Sequence, residues 1–249
     1  MTTQLSVAGA LTDKGCEVTF VAPSSPKARV TVAEEGHGFV GVKRSTVPGL
    51  GWLTFGRSLS QKLPNVIIER KPDIAIVEWQ AIAGSHKALD SAGIPWLAMD
   101  RSPPVFRNLA AKIQWREYGR AWRLSKQSRG SILKSRALAQ WHESRGSELG
   151  DVTILEAGVD LATYYPGPIN EVTRLVYHGR LDKERDIIRL VHIGDELEKL
   201  GVTFTMLLFG RGNALANLNG ASRSRKWLEV RTAVVPREVP TILSSCDLA

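Results

Sequence analysis

The stretch Thr173–Asp186, with the sequence TRLVYHGRLDKERD, decides how the whole chain is interpreted. Its first half, Arg174–Tyr177, is apolar at its centre and predicts a short buried strand. The apolar run stops at Gly179, and a helical pattern begins at Asp182. Asp182 can cap this predicted helix, and Gly201 can end it. The stretch therefore predicts a strand, a glycine-containing loop and a helix.

A glycine and an arginine at the end of a strand, just before a helix, favour anion binding. Free backbone N–H groups and the helix dipole attract negative charge, and a guanidinium group can bind two phosphate oxygens at once. Gly179 and Arg180 occupy these positions here. A structural turn, in which the arginine pairs with a nearby carboxylate, is the alternative that the residues leave open.

The segment resembles the phosphate-binding strand, loop and helix of the family-four retaining glycosyltransferases, which use nucleotide-sugars and have the two-domain GT-B architecture. Gly179, Arg180 and Leu181 match the Gly-Arg-Leu of that family. Arg185 stands where the family usually has a lysine, and Asp186 replaces the usual glycine. The resemblance implies that Arg180 and Arg185 are catalytic residues that stabilise the departing diphosphate.

Two other stretches resemble the same family and occur in its order. Leu155–Pro168, LEAGVDLATYYPGP, resembles the passage between the two domains. Met206–Gly212, MLLFGRG, resembles the next strand and its Gly-x-Gly loop, although Arg211 stands where the family usually has an aspartate. The residues that the resemblance assigns to nucleotide binding are Gly179, Arg180, Arg185, Gly210, Gly212, Val234 and Val235.

Strands and helices alternate along the chain, which is typical of α/β proteins with doubly wound parallel sheets. We predict two Rossmann-like domains that face a cleft, as in GT-B proteins, with the second incomplete. The predicted domains are residues 1–165, on the acceptor side, and 166–249, which bind the nucleotide-sugar. The family's first strand and its downstream pair of glutamates have no counterpart here, so we expect a chain truncated at both ends.

Composition is that of a soluble globular protein, with 43% hydrophobic and 23% charged residues in 249. No apolar run approaches the roughly 18 residues needed to cross a bilayer. Cys16 and Cys246 are interpreted as reduced thiols, which favours a cytoplasmic location. The net charge of +8 indicates a polyanionic partner.

The most basic region, residues 107–136, suggests one such partner. Trp115, Tyr118 and Trp122 fall on one predicted helical face that arginines flank. Such a helix can lie on an anionic membrane, or its aromatic side chains can pack inward while the arginines face solvent. Nucleic acid is an unlikely partner, because no nucleic-acid-binding signature accompanies the basic helix.

The predicted first domain offers its own strand-end residues. Active clefts of doubly wound sheets open at the carboxyl ends of the strands, where Asp100 and Arg101 follow an apolar strand. The family commonly has a histidine at such a position, which this sequence lacks. Asp100 and Arg101 are therefore candidate contacts for the donor sugar or the acceptor, and an ordinary salt bridge at the strand end is the alternative.

By this resemblance the chain is a transferase that moves a sugar from a nucleoside diphosphate donor to a hydroxyl of a glycan or lipid-linked acceptor, with retention. It would serve polysaccharide biosynthesis and need no metal or other cofactor. Two alternatives remain open: a fragment that only binds nucleotides, and a nucleotide-sugar epimerase of the same fold.

Overall fold

The computed structural model describes residues 2–47, 51–104, 109–156, 158 and 161–248. The chain forms two compact units, residues 1–157 and 158–249. The boundary expected from sequence lies slightly further along, before the turn at Pro166–Asn170. Tyr164 explains the difference, because it packs against the core of the second unit. Val159 and Asp160, part of the expected interdomain passage, lie outside the described residues.

The first unit alternates strands and helices, and every strand pair in it is parallel. Its strands form two sheets, with the orders β1-β2 and β3-β4-β5-β6. The elements are α1 (Thr2–Thr12), β1 (Thr19–Pro23), α2 (Pro26–Glu34), β2 (Gly38–Val42), α3 (Gly51–Arg70), β3 (Ala75–Glu78), α4 (Trp79–Ser91), β4 (Trp96–Asp100), α5 (Leu109–Leu124), β5 (Gly130–Leu133), α6 (Arg136–Glu143) and β6 (Asp151–Ile154).

The core of this unit lies between the four-stranded sheet and helices α3, α4 and α5. Trp96, Ile82 and Leu133 are among its fully buried side chains. Gly84 allows α4 to approach α3 closely, because a Cβ there would lie 2.5 Å from the carbonyl oxygen of Gly56. Within the described ranges, no helix combines the length and the apolar character needed to cross a membrane.

Three local expectations for this unit are wrong. Small, polar and glycine residues over Ser24–Ser45 predict a loop with an irregular strand at Phe39–Val42; the strand is present as β2, but α2 replaces much of the loop, starting with Pro26 and capped by the Ser25 hydroxyl. Residues 48–56, which include three glycines, predict another loop, but the chain is helical from Gly51 onward, and residues 48–50 lie outside the described ranges. Residues 130–145 predict an edge strand and a helix; the helix is α6, but the strand, β5, lies between β4 and β6.

The second unit is built on one parallel sheet of order β7-β8-β9. Leu248 forms a parallel bridge to Leu175 beside β7. Its elements are β7 (Thr173–Arg180), α7 (Ile188–Lys199), β8 (Phe204–Arg211), α8 (Leu215–Ser222), β9 (Leu228–Thr232) and α9 (Val239–Ser244). The parallel sheets and alternating helices of the two units confirm the predicted α/β class.

The sheet of the second unit has apolar residues on both faces. One core contains Leu181, Ile187, Val191 and Leu218, so α7 and α8 cover that face. Val176 and Phe209 form a smaller core with Val239 of α9 on the other face. Both cores hold the carboxyl ends of β7 and β8 in place.

Trp227 fills a tight position in the larger core. Its ring centroid lies 5.1 Å from that of Phe204. A Cβ at Gly194 of α7 would come within 2.1 Å of the indole, so a glycine is required where the helix meets this ring.

Helix α7 begins later than the sequence predicts. The expected start at Asp182 is wrong, because a short 3-10 turn, Lys183–Arg185, comes first and α7 starts at Ile188. Asp186 lies between the two with a φ of 53°, in the left-handed region. Aspartate tolerates this conformation better than most residues, and glycine tolerates it best. A bend therefore separates the strand end from the helix.

Candidate functional site

Arg180 and Arg211 stand side by side at the carboxyl ends of two neighbouring strands. The parallel register of β7 and β8 pairs Gly179 with Gly210 and Arg180 with Arg211. Paired residues of parallel strands point to the same face of a sheet. Both arginines are exposed, so the sequence-predicted strand end is an open, cationic edge.

The loops that follow these strands are tied together by four hydrogen bonds. The N–H of Leu181 donates to the carbonyl of Arg211 over 2.9 Å, and the N–H of Ala214 donates to the carbonyl of Leu181 over 2.9 Å. The Lys183 N–H donates to Asn213 Oδ1 over 2.8 Å. The N–H of Asn213 in turn donates to Asp182 Oδ1 over 3.3 Å. The backbones that carry the two arginines are therefore held in a fixed relative position.

Gly210 and Gly212 permit this close approach of the loops. A Cβ on Gly210 would lie 1.7 Å from the carbonyl oxygen of Gly179, and one on Gly212 would lie 2.1 Å from that of Leu181. The glycines expected to bring the backbone close to a nucleotide thus have a structural requirement of their own. Their contact with a nucleotide stays a prediction.

Arg180 forms an ion pair with Asp182, two residues further along the chain. Nη2 of the arginine lies against Oδ2 of the carboxylate. The arginine side chain is 62% exposed, whereas that of Asp182 is 11% exposed. The structure thus contains the carboxylate pairing that the sequence left open as an alternative, but it leaves most of the guanidinium accessible to solvent.

Arg185 occupies the 3-10 turn and is exposed, with no partner for its side chain among the described residues. The neighbouring Asp186 forms an ion pair with Arg189, at 2.8 Å. The carboxylate that replaces the family's usual glycine therefore already has a counter-charge. Arg185 lies near the end of β7, but α7 does not begin at Asp182 as predicted.

The residue pattern predicts a strand over Leu228–Val235, but β9 ends at Thr232, so Val234 and Val235 follow it. Val234 packs against the small core at Val176 and Phe209, whereas Val235 is exposed. Because the strands are parallel, these residues lie at the same edge of the sheet as Arg180. Their predicted backbone contact with a nucleotide base stays a prediction.

The strand end in the first unit is closed. Asp100 is 1% exposed, and its carboxylate accepts hydrogen bonds from the hydroxyl of Tyr118 and, over 2.9 Å, from the N–H of Ser102. Nε2 of His142 lies 3.0 Å from the same carboxylate and 2.9 Å from the Tyr118 hydroxyl. Arg101 pairs with Glu78 at 2.9 Å. These contacts favour the structural alternative, and contact of Asp100 and Arg101 with a sugar stays a prediction.

The helix predicted within residues 130–145 makes His142 most simply a surface residue, but this prediction is wrong, because His142 is 1% exposed. Its ring lies against Trp122, with 4.1 Å between the centroids, and is stacked on Tyr118. Burial, together with the hydrogen bond to Asp100, raises the pKa of Tyr118 well above its usual range, so its hydroxyl keeps its proton. The buried network Asp100–Tyr118–His142 therefore links β4, α5 and α6.

The aromatic face of the basic helix packs inward. Tyr118 and Trp122 are buried, whereas Trp115 is 38% exposed, with its ring 5.7 Å from that of Tyr118. The arrangement matches the alternative in which aromatic residues face the core and arginines face solvent. Contact of residues 107–136 with a membrane stays a prediction, and residues 107 and 108 lie outside the described ranges.

Comparison with solved structures supports the fold. A glycosyltransferase from Rickettsia africae superposes with a TM-score of 0.70 at 13% identity, over 97% of this chain and 66% of the other. UGT89C1 from Arabidopsis thaliana, solved with UDP-L-rhamnose, gives 0.61 at 12% identity, over 95% and 66%. UDP-GlcNAc 2-epimerase from Neisseria meningitidis, bound to UDP-GlcNAc, gives 0.58 at 11%, over 92% and 67%. The chain has the GT-B fold.

These GT-B similarities establish fold alone, since all three identities are below 25%. No protein-family model matches the sequence, and no curated protein matches it. The chain spans about two thirds of the length of these solved GT-B proteins. They include transferases and an epimerase, so the fold does not distinguish between these two activities.

Proposed function

We propose that the second unit binds the diphosphate of a nucleotide-sugar at the carboxyl edge of its sheet, and that the whole protein transfers the sugar to an acceptor hydroxyl. The observation that carries this proposal is the exposed cationic edge formed by Arg180, Arg185 and Arg211. Guanidinium groups at a strand end can neutralise the charge of a diphosphate without a metal ion.

Catalysis by such a site rests on charge stabilisation. Negative charge builds on the diphosphate as the bond to the sugar breaks, and cations aimed at that charge lower the barrier. Arg180 and Arg185 are the proposed catalytic residues, since both are exposed near the end of β7. UDP-L-rhamnose and UDP-GlcNAc, which are bound in the structures of two neighbours, are nucleotide-sugars of the proposed class.

The finer features of the proposal rest on the resemblance to family-four glycosyltransferases. These features are retention at the anomeric carbon, a glycan or lipid-linked acceptor, a role in polysaccharide biosynthesis, and action in the cytoplasm or at a membrane surface. The described residues fit the family at Gly179, Arg180 and Leu181. Asp186 also adopts the left-handed conformation that suits the glycine usual at its position.

Calorimetric titration with UDP, GDP and ADP tests the binding step. We expect one of them to bind, and Arg180→Ala to weaken that binding about 10- to 100-fold, because a charge-assisted hydrogen bond contributes about 1.5–3 kcal/mol. Arg223→Ala is the matched control, since Arg223 is exposed beyond α8, at the opposite edge of the same sheet. Absence of binding at millimolar nucleotide would overturn the proposal.

An epimerase remains the second candidate, because the Neisseria epimerase superposes almost as well as UGT89C1. Incubation with UDP-GlcNAc, followed by NMR of the sugar, separates the two functions. Release of the sugar from UDP supports a transferase that uses water as a poor acceptor. Inversion at carbon 2 supports an epimerase. Binding without either reaction indicates a chain that only holds the nucleotide.

A further inference from the structure

We propose that Arg211 is a further diphosphate-binding residue, and that with Arg180 it makes the site selective for nucleoside diphosphates over monophosphates. This inference rests on the proposed function. The register of β7 and β8 places Arg211 directly beside Arg180 on the neighbouring strand. Adjacent strands lie about 4.8 Å apart, so two guanidinium groups on one face can contact neighbouring phosphates of one ligand.

The charges at this edge are not balanced. Two like charges directly opposite each other on neighbouring strands repel. Asp182 forms an ion pair with Arg180, whereas the side chain of Arg211 is exposed and has no partner among the described residues. An anion that lies over both strands would relieve the repulsion and give Arg211 the partner that the described part of the chain does not supply.

The described neighbours of this pair on the same face of the sheet do not supply the missing negative charge either. His178 and Phe209 form the next register pair on the same face, and their rings stack with 4.6 Å between centroids. Arg231 pairs in register with Phe209, and its guanidinium is already bound to Glu229 at 2.5 Å. The face beside Arg180 and Arg211 is therefore aromatic and basic, with Glu229 already engaged.

The backbones that carry Arg180 and Arg211 are held in place, which suits this pair of arginines to binding a diphosphate. The carbonyl of Arg211 accepts the N–H of Leu181, and Asn213 is bonded to both Lys183 and Asp182. Gly210 permits the contact of the two strand ends. Because the backbones at Arg180 and Arg211 are already ordered, binding a diphosphate requires ordering only the exposed side chains, which lowers the entropy cost of binding.

The chemical consequence is a preference for two phosphates. A monophosphate can occupy the position near Arg180 but cannot also reach a second guanidinium in the same way that a diphosphate can. Removing Arg211 should therefore reduce affinity for the diphosphate more than affinity for the monophosphate. A change in the ratio of diphosphate affinity to monophosphate affinity separates direct contact by Arg211 from a general loss of positive charge.

The test uses the nucleoside diphosphate that binds the wild-type chain best, together with its monophosphate. We expect Arg211→Ala to weaken the diphosphate about tenfold or more, as loss of a charge-assisted hydrogen bond predicts, and the monophosphate clearly less. Arg211→Lys keeps the charge but loses the forked geometry, so it should recover only part of the affinity. Arg223→Ala is the control for loss of one positive charge.

The outcomes distinguish this inference from the proposed function. If Arg180→Ala weakens binding while Arg211→Ala behaves like Arg223→Ala, the nucleotide site stands and the role of Arg211 is wrong. Equal losses of diphosphate and monophosphate affinity in Arg211→Ala also contradict selectivity by this residue. If the wild-type chain binds none of the nucleotides, both the proposed function and this inference fail.

Discussion

The ends of β4 and β7 carry similar residues but have opposite environments. Each has an arginine and an aspartate within three positions: β4 ends at Asp100 and Arg101 follows it, and β7 ends at Arg180 with Asp182 two residues beyond. At β4 the aspartate is fully buried in a hydrogen-bonded network, and at β7 the arginine remains mostly exposed. A strand end therefore marks where a site can form, whereas the solvent exposure of its charged group decides whether that group can bind a ligand.

Removal of the buried carboxylate at the end of β4 should have the largest effect on stability. Asp100→Ala should lower the free energy of unfolding by about 3 kcal/mol, because it removes the buried carboxylate that contacts both the Tyr118 hydroxyl and His142. Urea unfolding followed by circular dichroism measures the change. Arg101→Ala is the control, and its loss should be about 1 kcal/mol or less, since its ion pair with Glu78 is partly exposed. Equal losses would contradict a structural role for Asp100.

Adding a methyl group at Gly212, where the loop after β8 contacts the loop after β7, should have an intermediate effect on stability. Gly212→Ala should lower stability by about 1–3 kcal/mol, because the new Cβ overlaps the carbonyl of Leu181. It should also weaken nucleotide binding by displacing the neighbouring Arg211. The same change at Gly220 meets no atom within 4 Å and lies within α8, so it should stabilise the helix by about 0.5–1 kcal/mol.

Thermal unfolding monitored by circular dichroism measures the stability of both variants. We expect Gly212→Ala to lower the stability and Gly220→Ala to raise it. A neutral effect of Gly212→Ala would show that the loops can separate without cost. In that case the strand end of the second unit would be less rigid than its hydrogen bonds indicate.

The smallest effect concerns the ion pair at the open strand end. Asp182→Asn keeps an acceptor for the Asn213 N–H but removes the charge that competes with a phosphate for Arg180. We expect diphosphate binding to tighten by up to about fivefold, as an exposed ion pair is worth up to about 1 kcal/mol. Titration calorimetry measures this, with Asp186→Asn as the control because Asp186 pairs with Arg189 instead. Weaker binding would show that Asp182 positions Arg180.

The α/β fold could be predicted from the sequence because its strongest signals are local. Apolar runs such as Ala75–Glu78 and Phe204–Arg211 are typical of buried parallel strands. Helix α2 was missed because its sequence, PKARVTVAE, lacks a clear apolar face. Ser25 followed by Pro26 was the available signal, since serine is a favoured N-cap and proline suits the first turn.

The candidate site could be predicted only in part. The position of Arg180 at a strand end was predictable, because glycine and the end of an apolar run mark it. The delayed start of α7 was not, since it depends on Asp186 adopting a left-handed conformation. The burial of His142 depends on Asp100, which lies 42 residues away in the chain. Contacts at that separation are set by packing, which periodicity does not describe.

The packing of Trp227 against Gly194 offers a spectroscopic handle on the second unit. The chain has seven tryptophans, and Trp227 is the one located after residue 158. Its indole belongs to the same core as Leu181, the residue between Arg180 and Asp182. The difference between the fluorescence of the wild-type chain and that of a Trp227→Phe variant therefore isolates an emission from this unit, without an attached dye.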